Sequence, residues 1–588
     1  MSKLITNSFK INAINNLIQS SSRYFIFLGR HTAFDDDSIP PTLIDNTSTT
    51  YINVYDEMIA AKAIEKSADI SFLISRNDWT SNTIYYRYDQ NADLYDKAFY
   101  VNVDSGSGHH VFKCLNNAEG QKSTISPDLS QTSASDDIYE TADGYQWKYM
   151  YSITNNQFNK FATSTLIPVF VNANVVANAI NGSVDYIDIS YKGSNYNAYA
   201  NGTLQAVAVG GNTQIYTLEA TSSSNSNFYN GSAIKIISGT GAGEQRIIDS
   251  YSVSGLTKQI VINTPFDTTP TTSSTYEISP NVIIEGNGTG FKGRGIINST
   301  SNSIHRVEIT QRGNNYTFGT VTFNGNTGGV TNTAIGKVII SPTGGHGSNA
   351  AKELGAHYMG ISTTFNTSDA TSTNKIFDVN DFRIIGIIDN PLLANIELTY
   401  TGSVGTFSNN EIINQANTLA SGLVTFANSS ILRLTNVSSN NNFLPGNATF
   451  GIITGANTAT TAQVISVKNN GSANLSANVT YINQTTLLYV STVTGTFLLD
   501  EIVTGTGNTA TSNAILYKAN SSIIHITNVK GSFGNTITGA NSGATASITS
   551  IQPGDFVVGS GDIFYLENLS PINKTAGQTE KIKIIIEF

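Results

Sequence analysis

At 588 residues the chain exceeds one hydrophobic core, and at about 100–200 residues per domain it should divide into roughly three to five. Charged residues are 13%, about half of the ~25% usual for soluble domains, yet 27 Tyr and 27 Phe exclude a disordered chain. A formal net charge of −10, a pI near 5.2 and the lack of any Lys/Arg cluster exclude a phosphate backbone, and so nucleic acid, as partner.

From the N-terminus, Met1 to Asn16 lacks the uninterrupted apolar core of a signal peptide. No apolar run approaches the ~18 residues of a membrane span, so cytosol or a released particle is the expected setting, with no membrane partner. Ile11, Ile14 and Ile18 recur at helical spacing, and Val54, Met58 and Ala61 do so over a shorter segment; no other helix of consequence is expected. Asp35, Asp36 and Asp37 precede Pro40 and Pro41. Three consecutive carboxylates on an extended chain point in different directions, whereas calcium loops alternate their ligands, so these read as an exposed acidic turn.

His109 and His110 follow Gly106, Ser107 and Gly108. A nucleophile elbow needs a strand before its Ser and a helix after it; here both flanks look like strands, which leaves a hairpin loop. Cys114, the single cysteine, excludes an intrachain disulfide and reads as a small buried hydrophobe beside Phe112.

Further along, period-two alternation dominates, in strands separated by Gly, Asn and Ser clusters near Gly210, Gly239, Gly328 and Gly455. Two internal similarities stand out. Gly193, Ser194, Asn195, Tyr196 matches Gly313, Asn314, Asn315, Tyr316, each a strand, a glycine turn and an aromatic plug. Between Thr401 and Gln552, Gly405-Thr406-Phe407 and Glu411-Ile412 return as Gly495-Thr496-Phe497 and Glu501-Ile502; Ala427 to Ile431 returns as Ala519 to Ile523, and Thr435 to Val437 as Thr527 to Val529. This is a two-copy β insertion, and its seven charged residues leave little from which to build acid and base chemistry. Gly286, Gly288, Gly290, Gly293 and Gly295 lack the helix and the Lys or Ser/Thr of a phosphate loop and read as turns and bulges. His346, His357 and Glu353 raise a metal reading, but eleven residues of separation and Gly345, Gly347 and Gly355 argue for a loop. The glycosylation triplets at Asn181 and Asn298 arise by chance in so Asn- and Thr-rich a chain. Ile582, Ile584, Ile586 and Phe588 alternate with Lys583 and Glu587 in a closing half-buried strand.

The expected fold is mainly β: multi-domain antiparallel β-sandwiches with few short helices, and a discontinuous core domain with inserted β modules. Its parts are an N-terminal core part (1–170), inserted β modules (171–344), a return segment (345–398), the repeat insertion (399–552) and C-terminal strands completing the core (553–588).

Several segments resemble one family in its order. Tyr24 to Arg30, ending Gly29-Arg30, is similar to its early strand, with Pro40 and Pro41 following. Arg76-Asn77-Asp78-Trp79 resembles its Arg-x-Asp-Trp element, and Val111 to Leu115 its strand of aromatic, basic residue, Cys and Leu. Asp143-Gly144-Tyr145-Gln146-Trp147-Lys148-Tyr149 is close to the Asp-Gly-Tyr-x-Trp-x-Tyr signature, the most specific match. Phe382-Arg383 with Asn390-Pro391, and Gly561 to Phe588 with Tyr565, Glu567 and Asn568, resemble its later segments. The family is the homodimeric β-sandwich baseplate wedge subunit of T-even-type contractile-tail bacteriophages and cyanophages. The likeness covers roughly 1–170, 345–395 and 553–588.

This resemblance implies a non-catalytic structural subunit without cofactor or metal, in the virion tail baseplate. It would be a homodimer contacting other wedge and peripheral baseplate proteins. Gly29, Arg30, Arg76, Asp78, Trp79, Asp143, Gly144, Tyr145, Trp147 and Tyr149 would serve as core or interface residues, with core packing favoured for both tryptophans. The alternatives are a receptor-binding or tail-fibre adhesin, suggested by the Asn-, Thr- and Gly-rich modules, and a polysaccharide lyase or hydrolase, which would need a cleft with paired carboxylates.

Overall fold

The computed structural model describes residues 6–588 apart from 21, 43–46, 95, 132–137, 197–199, 211–212, 299, 325–329, 331, 366–380, 392–395, 436–442, 448, 469–480, 507–510 and 573–578. It is mainly β, 51% strand and 9% helix, built from antiparallel sheets and barrels. The chain forms two compact units, one of 1–14, 71–360 and 585–588, the other of 15–70 and 361–584. The division therefore falls at Ile70 and Gly360, inside the expected parts 1–170 and 345–398.

In the first unit, strands Tyr100–Asp104, Gly108–Asn117, Tyr145–Thr154 and Ile138–Glu140 form a four-stranded sheet. Bulky apolar residues sit on both faces of its two long central strands, so each face is packed. A seven-stranded sheet follows between Ala200 and Ser279, its core filled by Tyr216, Tyr229, Tyr251 and Tyr276 among isoleucines. A six-stranded sheet runs in the order Ser303–Asn314, Thr289–Asn298, Asn281–Gly286, Gly319–Asn324, Ile335–Ile340, Val184–Tyr191.

Tyr196 and Tyr316 plug the core of this six-stranded sheet. Gly193 and Gly313 turn with φ near +68° and +65°, and a Cβ on either would fall 2.6 Å and 2.9 Å from the ring of its own tyrosine. Only glycine allows both the backbone and the close ring. Gly286 and Gly288 give the Tyr316 ring its room in the same way, since a Cβ at Gly288 would lie 2.3 Å from it.

In the second unit, Tyr24–Gly29 lies between Met58–Ala63 and Phe382–Asp389 in a five-stranded sheet. Its outer strands are Tyr481–Asn483, beside Met58–Ala63, and Asp562–Ile572, beside Phe382–Asp389. Segments hundreds of residues apart thus share one sheet, over a core of Phe25, Phe27, Met58, Ile384, Ile388, Ile482 and Phe556. The helix expected over Val54, Met58 and Ala61 is corrected here. It spans Ser48–Glu57, and Met58 to Ala61 are buried strand residues, because a run of four apolar side chains fits a strand covered on both faces as well as a helix. Short helices beyond the two expected also occur, among them Asn155–Phe161, opened by a capping box between Thr154 and Gln157.

The two repeat copies are two closed six-stranded barrels, spanning Ile396 to Lys468 and Thr486 to Gln552. They are separate insertions: between them the chain returns to the five-stranded sheet as Tyr481–Asn483. Closure leaves neither barrel with a free edge.

Candidate functional site

The residues that carry the family resemblance in the first unit gather in one aromatic cluster. Trp147 is fully buried, its ring stacked on Tyr145 at 5.4 Å and edge-on to Tyr85 at 5.9 Å. Tyr149 is also buried, against Phe112, with its hydroxyl 2.6 Å from Ser152 Oγ. Cys114 lies opposite Trp147 across the strand pair, and burial pushes its thiol well above the usual range, so it is an inert hydrophobe.

Polar members of the motif hold this cluster together. Gly144, at φ +84°, closes a turn with its N–H on Thr141 O at 2.8 Å. That turn aims Asp143, whose Oδ2 accepts from Thr124 N at 2.7 Å and Ile125 N at 2.9 Å, and whose Oδ1 accepts from Thr141 Oγ1 at 2.5 Å. Burial alone would raise the Asp143 carboxyl; these hydrogen bonds outweigh it and lower it. Trp79, half-buried, donates its indole N–H to Ser123 Oγ at 3.1 Å, and the same hydroxyl reaches Asp143. Arg76 Nε meets Asp78 Oδ2 at 2.8 Å, and Asp78 Oδ1 accepts from Asn102 at 2.7 Å.

Gly29 and Arg30 fall in the second unit, at the end of Tyr24–Gly29. Arg30, at φ +52°, pairs with Glu57 at 2.7 Å and lies over the Phe34 ring at 4.3 Å. Asp37 of the acidic turn pairs with Arg383 at 2.6 Å, which brings its carboxyl down to about 2. His109 and His110 lie just beyond the hairpin turn, at the start of strand Gly108–Asn117; burial lowers both imidazoles, and His109 stacks on Phe158 at 3.7 Å.

A buried ion cluster in the first unit was not read from the sequence. Lys113 Nζ lies 2.6 Å from Glu353 Oε1, 3.1 Å from His346 Nδ1 and 3.6 Å from the centre of the Tyr88 ring. His346 bridges Glu353 Oε1 and Asp185 Oδ2, each at 2.6 Å, and Arg312 Nη1 donates to the carbonyls of Val184 and Asp185 at 3.1 Å and 2.9 Å. Burial would raise the Glu353 carboxyl, but Lys113 and His346 against it bring it down to about 2. The cluster ties the four-stranded sheet, the loop before Tyr358 and the six-stranded sheet to one another. Lys113 is 0% exposed, so no substrate atom reaches it. One signal was available: a lysine inside Val111-Phe112-Lys113-Cys114-Leu115, where both strand faces are otherwise apolar.

In the second unit His31 stands between Thr527 Oγ1 at 2.7 Å and Asp500 Oδ1 at 2.5 Å, the order of a hydroxyl, base and acid relay. The exposures are reversed for that chemistry. Thr527 is 3% exposed while the Asp500 side chain is 49% exposed, so the hydroxyl is the sealed end, and the array pins the second barrel to the turn after Tyr24–Gly29. Among the described residues no group of three or more His, Cys, Asp or Glu is placed to hold a metal ion.

Each barrel keeps one buried glutamate at the same repeat position. Glu411 accepts from Ser408 N at 2.6 Å and Thr458 N at 3.1 Å; Glu501 accepts from Leu498 N at 2.8 Å and Ser542 N at 2.9 Å. One carboxylate thus collects the unpaired N–H groups of two loops and closes that end of the barrel.

No protein-family model matches the chain, and no curated protein matches it.

Proposed function

We propose that this chain is a structural subunit of a contractile-tail phage baseplate wedge, without catalytic role or cofactor, acting through protein contacts. In this reading it resides in the virion tail as a homodimer, bound to other wedge and peripheral baseplate proteins. One observation carries it: the most specific motif residues, from Arg76 to Tyr149, spend their polar groups on each other and on backbone around a sealed aromatic core. Residues used in this way fix a rigid body and leave nothing over for turnover. The two closed barrels suit a scaffold, since closure leaves no free strand edge for unwanted pairing.

The test is negative-stain imaging of purified tails carrying a bulky label on this subunit. Label at the baseplate is expected; label found only on distal fibres would transfer the protein to the adhesin class.

A further inference from the structure

A polar cleft in the first unit lies outside both the aromatic cluster and the buried ion cluster. It measures about 480 Å³, within the ~300–1,000 Å³ of small-molecule sites. Three pieces of chain supply most of its wall: the irregular segment from Tyr86 to Leu94, the turn Ala118–Gly120 that ends strand Gly108–Asn117, and strand Val184–Tyr191 with Lys192.

The turn is held in an unfavourable shape. Ala118, Glu119 and Gly120 are all left-handed, at φ +50°, +58° and +83°, a region that the first two, with their side chains, disfavour. The motif core imposes this. Asn117 donates to Tyr85 O at 3.1 Å and accepts from Gly120 N at 3.2 Å, and a Cβ at Gly144 would fall 3.1 Å from that of Ala118. The result is an exposed Glu119 standing at the cleft wall, where strain that brings this side chain no burial is spent on its placement.

Charge around the cleft is balanced. Arg87 lies over the Tyr186 ring at 4.8 Å and bonds Asp188 at 2.8 Å, Asp89 is paired with Lys337 at 2.7 Å, and Lys192 answers Glu119. An anion would meet three carboxylates, and those carboxylates are not grouped to hold a metal ion. An apolar ligand would strand the charged groups. A neutral polyhydroxylated ligand matches what remains. Its hydroxyls donate to carboxylates and accept from Arg87, Lys192 and Asn117, and its C–H face covers Tyr86, 50% exposed.

We propose that this cleft binds a neutral saccharide, without turning it over. Asp188 and Asp89 are both committed to ion pairs, so the two free carboxyls that glycoside hydrolysis uses are not assembled here. Such a site would serve a wedge subunit or an adhesin alike, so its failure leaves the baseplate reading untouched.

The experiment is saturation-transfer NMR on the full chain with maltohexaose, cellohexaose and chitohexaose as probes. Transfer to at least one is expected, undiminished by added inorganic phosphate and with no shorter sugar released. Tyr86→Ala and Glu119→Gly should each weaken binding about tenfold, the loss of a stacking face or of one charged hydrogen bond. Leu256→Ser, at an 82% exposed turn position of the seven-stranded sheet, should not. Glycine takes φ +58° without strain, so Glu119→Gly should lose affinity with a urea midpoint no lower than the native one, which separates a binding role from a structural one. No transfer to any of the three sugars, transfer that every variant retains, or displacement by phosphate would overturn the saccharide site; release of shorter sugars would overturn binding without turnover.

Discussion

Trp147→Ala tests whether the motif residues build a core. The side chain is 0% exposed and packed between the Tyr145 and Tyr85 rings, so truncation leaves a cavity and should cost about 3–5 kcal/mol. Trp147→Phe separates packing from polarity. The indole Nε1 is buried without a hydrogen-bond partner, a condition costing about 1–3 kcal/mol, so phenylalanine loses volume but sheds an orphan donor and should cost less than about 1 kcal/mol net. Both tryptophans, Trp79 and Trp147, lie in the first unit, so fluorescence follows that unit alone, and Trp79 still reports in either variant. With a urea slope of about 3 kcal/mol per molar, the alanine variant's midpoint should fall by roughly 1–1.7 M. Equal midpoints for Trp147→Ala and the native chain would refute burial in a packed core. A phenylalanine variant as weak as the alanine one would refute the orphan donor.

Acid should weaken the two units in different windows. In the second unit burial lowers the His525 imidazole to about 4 from its ordinary 6.5; a depressed group contributes stability above its unfolded value, so that contribution falls away between pH 6.5 and about 4. Glu353 in the first unit, at about 2 against an ordinary 4.5, loses its contribution only between pH 4.5 and about 2, so circular dichroism should register loss before tryptophan fluorescence does. Glu353→Gln should lessen the late fluorescence loss, of which Asp143 keeps its own share, and cost about 3–5 kcal/mol at neutral pH, since the Lys113 charge is left buried without its carboxylate; urea titration at pH 7 checks it. Glu501→Gln should destabilise the second barrel by about 1–3 kcal/mol and leave the first barrel's hydrogen-exchange protection unchanged. Excising Leu487 to Gln552 through a short linker should give soluble protein, because these two residues are cross-strand neighbours. Removing Thr401 to Gln552 in one piece should not, because it also strips Tyr481–Asn483 from the edge of Met58–Ala63; soluble yield and a cooperative melt distinguish the two.

The fold class was legible because alternation, turn glycines and repeated tetrapeptides are local signals. Gly193 and Gly313 announced their tyrosine plugs, since the left-handed turn and the ring it shelters lie within four residues. The repeat showed in sequence because Glu411 and Glu501 cannot drift without stranding two loops. Partnerships across long separations were not legible. Nothing local in Lys113 names Glu353, and nothing in His31 names Asp500, because such pairs are fixed by how sheets stack and not by any periodicity. Met58 was misread for a related reason: four consecutive apolar residues satisfy a buried strand and a helix face alike, and only the partner strands decide.

The duplicated barrels show how one module serves two attachments. Arg433 in Ile431-Leu432-Arg433-Leu434-Thr435 corresponds to His525 in Ile523-Ile524-His525-Ile526-Thr527. Arg433 reaches out of the first barrel to Tyr489 Oη at 2.7 Å and Gln552 Oε1 at 3.1 Å in the second. His525 makes a shorter reach toward the sheet, its Nδ1 2.9 Å from Thr485 Oγ1, which donates to Asn483 of the five-stranded sheet. The core of the module is kept because any change there is felt throughout the barrel, whereas this one register position faces whatever the module is mounted on. A long, permanently charged fork spans the gap between two barrels; a short ring held neutral by burial suits a tight seam against the sheet. Exchanging the two residues should therefore loosen both seams while each barrel stays closed, since neither side chain contributes to the apolar interior.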